Sequence, residues 1–141
     1  MWIRSANRSN YDQQCLFENK VARVKAANPS LTQEEAEIEA ATVVARPGTS
    51  EHQLGLAVDL VDKRLNSLVE EQEDMEAQQW LMEHCHEYGF ILRYPKGTTD
   101  VTGIIYEPWH YRYVGRETAA EIYKSGLCLE EYLQSLTAGI G

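Results

Sequence analysis

Hydrophobic spacing changes period several times along the chain, and each change predicts a new element. From about Tyr11 to Ala27, Phe17, Val21 and Val24 recur at helical spacing, and Asn28-Pro29-Ser30 closes that helix. Thr32 and Glu35 form a T-x-x-E capping pattern that opens a second helix, expected to run to about Val44. Its acidic start suits the positive end of a helix dipole. Pro47-Gly48 breaks the chain, and Leu56 to Val61 reads as a mostly buried strand. The charged stretch Glu70 to Glu76 leads into a helix predicted to bury Ala77, Trp80, Leu81, Cys85 and Tyr88 on one face, with Gly89 as its C-terminal cap.

Phe90 to Tyr94 reads as strand, followed by a turn at Pro95-Lys96-Gly97. Ile104 to Tyr106 and Tyr111 to Val114 are expected to be further strand, interrupted by Pro108. Helices over about Glu117 to Lys124 and Leu129 to Leu136 complete the pattern. Helices and strands without regular βαβ alternation predict an α+β fold, a small antiparallel sheet with helices packed beside it.

Composition narrows the function classes. The 141 residues are 43% hydrophobic and 25% charged, as expected of one globular domain over residues 1–141. Thirteen Lys+Arg against 22 Asp+Glu give a net charge of −9, which argues against nucleic acid and anionic membrane surfaces as partners. No apolar run approaches the ~18 residues of a membrane span. Cys15, Cys85 and Cys128 are odd in number and lie in no CxxC pair, so neither a disulfide framework nor a sulfur-rich zinc site is indicated, although one bridge is allowed. Met1-Trp2-Ile3-Arg4-Ser5 lacks the apolar core and cleavage site of a signal peptide and reads like the middle of a domain. A natural N-terminal leader or anchor is therefore expected to be missing, and the domain is expected to be a monomer.

The chemistry concentrates in two segments, Arg46 to Asp59 and Glu107 to Tyr113. They hold His52 and His110 and, besides Glu51, the two carboxylates Asp59 and Glu107 among apolar neighbours, where an unpaired charge would be costly. Two imidazoles and one carboxylate make a three-donor set for catalytic zinc (Zn2+), and the second carboxylate is then a candidate general base. Geometry constrains this reading. On a straight strand His52 and Asp59 would stand about 23 Å apart, so the chain must bend between them, and Gly55 is placed to permit it. Pro108 cannot donate to a sheet ladder, so Glu107 and His110 should straddle an irregular turn at a strand end. By spacing alone, His52, Asp59 and His110 remain open to a purely structural reading, as does Arg8. His84 and His86, among Glu and Tyr on a helix, are read as structural, and Arg46 as either cleft or turn.

The same segments resemble the VanY-type D-alanyl-D-alanine carboxypeptidases, zinc peptidases that trim bacterial peptidoglycan stem peptides. The pattern S-x-H-x-x-G-x-A-x-D is met by Ser50, His52, Gly55, Ala57 and Asp59, and E-x-W-H by Glu107, Trp109 and His110. An upstream R-S-x-x-x-Q is met by Arg8, Ser9 and Gln13, and the likeness runs from about Ile3 to Gly115. It implies His52, Asp59 and His110 as zinc ligands, Glu107 as catalytic base and Arg8 as holder of substrate or developing oxyanion. Gln13 and Ser50 would contact the terminal residue of the substrate. It further implies a hedgehog- and lysostaphin-like α+β fold, and a carboxypeptidase that removes D-alanine from a peptidoglycan stem peptide or muropeptide by D,D- or L,D-cleavage in the bacterial cell envelope. A cell-wall binding module with structural zinc is the alternative, but such sites usually close with four protein donors. One departure stands out: Ile104 occupies a position that is often tyrosine in T-G-Y-x-Y-E-P-W-H.

Overall fold

The structure is a computed structural model that describes residues 1–138. The first strand, β1 (Trp2–Ser5), is one the hydrophobic pattern did not announce. Helix α1 (Asn10–Ala27) begins at Ser9, whose hydroxyl accepts from the Asp12 amide, and buries Phe17, Val21 and Val24. Helix α2 (Gln33–Ala41) carries the expected capping box between Thr32 and Glu35. Ala36 and Ala40 are fully buried, and their lack of bulk lets α1 and α2 pack closely over a shared apolar cluster. The helix stops three residues short of Val44. There the Thr42 carbonyl leaves the helix to accept from the Ile105 amide.

A short 3-10 turn, Glu51–Leu54, precedes β2 (Ala57–Val61). Helix α3 (Glu76–His84) continues into a 3-10 turn, Cys85–Tyr88, then β3 (Phe90–Leu92). A single helical turn, α4 (Thr99–Thr102), precedes β4 (His110–Tyr113), and α5 (Arg116–Ser125) and α6 (Leu129–Ala138) follow. The four strands form one antiparallel sheet in the order β1-β2-β4-β3.

Because strand side chains alternate, the sheet sorts its residues by face. Val58, Leu60, Phe90, Leu92 and Tyr111 pack with Leu81 and Cys85 on one side. Asp59, His110, Arg112 and Ile91 share the opposite parity, and Ile91 packs there against α5 and α6 through Ala119, Ile122, Leu129 and Tyr132. Buried Gln78 ties α3 to this frame: it donates to the Leu60 carbonyl and accepts from the Tyr111 hydroxyl at 3.1 Å.

Three local expectations are corrected. Ile104 to Tyr106 is not strand, because Gly103 (φ 74°) ends α4 and Ile105 bonds the α2 end instead of a sheet partner. The expected strand Phe90 to Tyr94 keeps regular pairing only to Leu92, after which Arg93 N donates to the His110 carbonyl and the Tyr94 carbonyl accepts from Glu107 N. Trp80 and Tyr88 are 47% and 54% exposed rather than buried. Trp80 adjoins the inward Leu81 and so is turned away by the helical period, while the switch to 3-10 winding at Cys85 rotates Tyr88 off the buried stripe. Cys15, Cys85 and Cys128 are all free thiols.

Gly89 has φ +86°, and an added Cβ would lie 2.8 Å from a Tyr113 ring carbon and 3.2 Å from the Arg116 amide. Gly89→Ala is therefore expected to lower unfolding free energy by about 1–3 kcal/mol, read by urea titration.

Candidate active site

Three donors converge from two elements of the sheet and one turn. Asp59 on β2 lies directly opposite His110 on β4 in the antiparallel register. His52 arrives from the 3-10 turn, which ends at Gly55 in the left-handed conformation (φ 69°) and so doubles the chain back towards β2. The bend required between His52 and Asp59 is made at this glycine. His52 Nε2 is 3.2 Å from Asp59 Oδ2, and His110 Nδ1 is 3.1 Å from Asp59 Oδ1. One donor atom from each of the three lies within 4.8 Å of the others, and all three residues are buried. The imidazoles meet edge to face, with ring centres 4.9 Å apart.

The rings present opposite nitrogens to this centre. His52 turns Nδ1 outward, where it donates to the Ala6 carbonyl at 2.7 Å. That contact fixes Nε2 as the free donor atom. The segment after β1 is held against the turn by Arg8 N donating to the His52 carbonyl at 3.1 Å, so the unannounced strand is what delivers the Ala6 carbonyl. His110 turns Nε2 outward, facing Glu51 Oε2 at 3.6 Å.

Glu107 and His110 straddle the Pro108 turn, closed by His110 N donating to the Glu107 carbonyl at 3.2 Å. The Glu107 carboxylate lies 3.7 Å from His110 Nδ1. Arg8 reaches the same place from the link between β1 and α1: Nη2 donates to Ser5 Oγ at 2.8 Å and lies 3.6 Å from Asp59 Oδ2. Arg8 Nη1 donates to Gln13 Oε1 at 2.8 Å, and the Gln13 amide donates in turn to the Ala45 carbonyl at 2.6 Å. Ser50, buried before the turn, makes no side-chain capping bond. All seven residues singled out in the sequence line a cleft of about 250 Å3, whose apolar wall includes Leu16, Val44, Ile104 and Trp109.

Electrostatics separate the two carboxylates. Burial would raise the Asp59 carboxyl, but hydrogen bonds from His110 and His52 override it and hold its pKa at about 2. Burial dominates at Glu107 and, with Asp59 adding to it against His110 and Arg8, pushes its pKa up to about 8. Burial also opposes a charged His110, yet Asp59 and Glu51 outweigh it and raise the ring to about 9.

Sequence reasoning missed the outer partners. Glu51 accepts from Arg93 Nε at 2.7 Å and lies 3.0 Å from Arg112 Nη1. Its only signal was a carboxylate adjoining His52. Arg46 pairs with Glu37 at 3.2 Å and stacks over Phe17 outside the cleft. His84 pairs with Glu87, and His86 stacks on Tyr123, as structural residues do.

A model of the VanY D-alanyl-D-alanine carboxypeptidase family matches residues 1–116. The chain belongs to the VanY family. A relative, the D-alanyl-D-alanine carboxypeptidase of Enterococcus faecalis, is 48% identical over 133 residues, which are 94% of this chain and 47% of that protein. The chain thus spans about half the length of the curated relatives it matches most extensively. Among solved structures, a mutant of a vancomycin resistance D,D-pentapeptidase VanY, in complex with Zn(II), is 48% identical with a TM-score of 0.79, covering 94% of this chain and 70% of that one. The LdcB LD-carboxypeptidase is 38% identical with a TM-score of 0.77, covering 92% and 56%. The α+β fold with its small antiparallel sheet is shared with these VanY-like structures.

The shifts set the pH response of the metal-free protein. Asp59 ionises more readily folded than unfolded, so its contribution holds above about pH 4 and is lost as pH falls to about 2. Charged His110 contributes fully below about pH 6.5, and this is lost as pH rises through about 9. Glu107, raised to about 8, keeps its proton in the fold after the unfolded chain has lost it near 4.5, so urea titrations of metal-free protein are expected to show a maximum near pH 4 to 4.5 and a decline towards pH 8, with the acid limb flattened in Asp59→Asn.

Proposed function

We propose that this chain is the catalytic domain of a zinc carboxypeptidase that removes a C-terminal D-alanine from a peptidoglycan stem peptide or muropeptide, outside the cytoplasmic membrane. The observation that carries this reading is the buried convergence of His52, Asp59 and His110 beside Glu107, a carboxyl whose environment keeps it a strong proton acceptor. Two imidazoles and one carboxylate suit zinc, and the donor count suits a catalytic site more than a structural one. The zinc of the solved VanY mutant and the naming of relatives as D-alanyl-D-alanine carboxypeptidases support the same reading.

His52 Nε2, one Asp59 oxygen and His110 Nδ1 would hold the ion. Zinc, when bound, supplies Lewis-acid polarisation of a carbonyl and lowers the pKa of water towards about 7. Glu107 takes the proton of the attacking water and passes it to the departing amine, a task that needs a carboxylate with raised proton affinity. Arg8, held on two sides by Ser5 and Gln13, presents fixed positive charge to the oxyanion or the substrate carboxylate. Gln13 and Ser50 form the wall against which the terminal residue packs, and the Ser50 hydroxyl is available to it. Trp109, buried in the cleft wall, excludes water.

Glu107→Gln is expected to retain zinc and lose turnover by roughly 10²–10⁴-fold. His52→Ala and His110→Ala should lose both metal and activity, as read by elemental analysis and by D-alanine release. Release from pentapeptide against tetrapeptide substrates decides between D,D- and L,D-cleavage. Hydrolysis that persists with a chelator and without zinc would overturn the proposal.

A further inference from the structure

The C-terminal helix lies outside the residues matched by the family model, yet it is wired to a metal-donor side chain. Arg93 is only 7% exposed, and its guanidinium is shared between two carboxylates. Nη1 and Nη2 donate to Glu130 of α6 at 2.9 and 2.6 Å, a two-pronged contact. Nε donates to Glu51 Oε1 at 2.7 Å, and Arg112 Nη1 approaches the same oxygen at 3.0 Å. Both guanidiniums thus take one oxygen of Glu51 and leave the other, Oε2, facing His110 Nε2 at 3.6 Å. These two facing atoms are buried, and neither has a hydrogen-bond partner among the described residues. One is the N–H side of a ring whose Nδ1 faces the donor centre, and the other is an anionic acceptor.

Brought into hydrogen-bond range, this carboxylate does for His110 what the Ala6 carbonyl does for His52, but with a full negative charge. A carboxylate accepting from the outer nitrogen of a ligating histidine fixes the ring's tautomer and orientation and strengthens its donor atom. Glu51 can act in this way only if it is held in place, since a carboxylate on a free side chain would rotate towards solvent. The clamp that holds it is Arg93, which is in turn anchored by Glu130. Closing the gap by about 0.7–0.9 Å would make an ordinary charge-assisted hydrogen bond.

The geometry points to Glu51 and Glu130 as positioning residues: the relay Glu130–Arg93–Glu51 makes α6 part of the scaffold that sets the zinc affinity of His110. This rests on the zinc reading above. Zinc dissociation constants by chelator competition, measured on the folded full chain well below its melting temperature, test it. Wild type should bind zinc, Glu51→Gln should bind it roughly 10–100-fold more weakly, and Glu130→Gln should lose affinity in the same direction but less. Tyr132→Phe, which removes the Tyr132–Glu121 contact of the same helix, should leave affinity unchanged. Imidazole 15N NMR covers the case in which Glu51→Gln does not fold: His110 should keep its proton on Nε2 in zinc-loaded wild type, and that resonance should move in Glu130→Gln. Wild type that binds no zinc would overturn the metal reading, and the relay with it. Equal affinities in wild type and both glutamate variants would overturn the relay alone, as would an equal loss in Tyr132→Phe.

Discussion

Everything in the cleft is arranged around one buried anion. Asp59 sits on a central strand where an uncompensated carboxylate would be very unfavourable, and the fold answers with two imidazoles and a guanidinium within 4 Å. Register supplies the first imidazole, because antiparallel pairing of β2 and β4 sets His110 directly across from Asp59. A turn and a left-handed glycine supply the second. The link between β1 and α1 supplies the cation, Arg8. These compensations come from remote parts of the chain, so the site forms only when the sheet and α1 are both in place.

The same crowding gives two neighbouring carboxylates opposite characters. Asp59 is bathed in donors and stays ionised to low pH, whereas Glu107, also buried but beside a negative neighbour, holds a proton strongly. One environment suits a permanent donor to a cation, and the other suits a group that must take and return a proton. No special residue type is needed, since position within the cleft makes the distinction.

Much of this was legible in the sequence where local chemistry is strong. The Thr32–Glu35 box, the Asn28-Pro29 stop and the Gly55 bend each have a mechanism confined to a few residues, and each stands as expected. The His52–Asp59–His110 set was left open by spacing alone and was singled out by the resemblance to the VanY-type peptidases. What was not legible depends on contacts from afar. β1 has four residues and exposed apolar side chains, so only its pairing with β2 makes it strand. Ile104 to Tyr106 has strand-like composition, yet its amide is claimed by the end of α2. The Ala6 carbonyl carries no side-chain signal at all. Glu51 looks like any surface glutamate until β3 and β4 bring two arginines to it.

Only Pro108 and Trp109 separate Glu107 from His110 along the backbone, and Pro108 is among the most deeply buried side chains of the fold. Its ring fixes one torsion of that short bridge, and packing immobilises the rest. Glu107 and His110 therefore travel as a single rigid unit: breathing at the end of the sheet would carry both together and preserve their mutual aim. Inserting one residue between them would break that unit and misalign the pair while leaving the composition of the cleft intact.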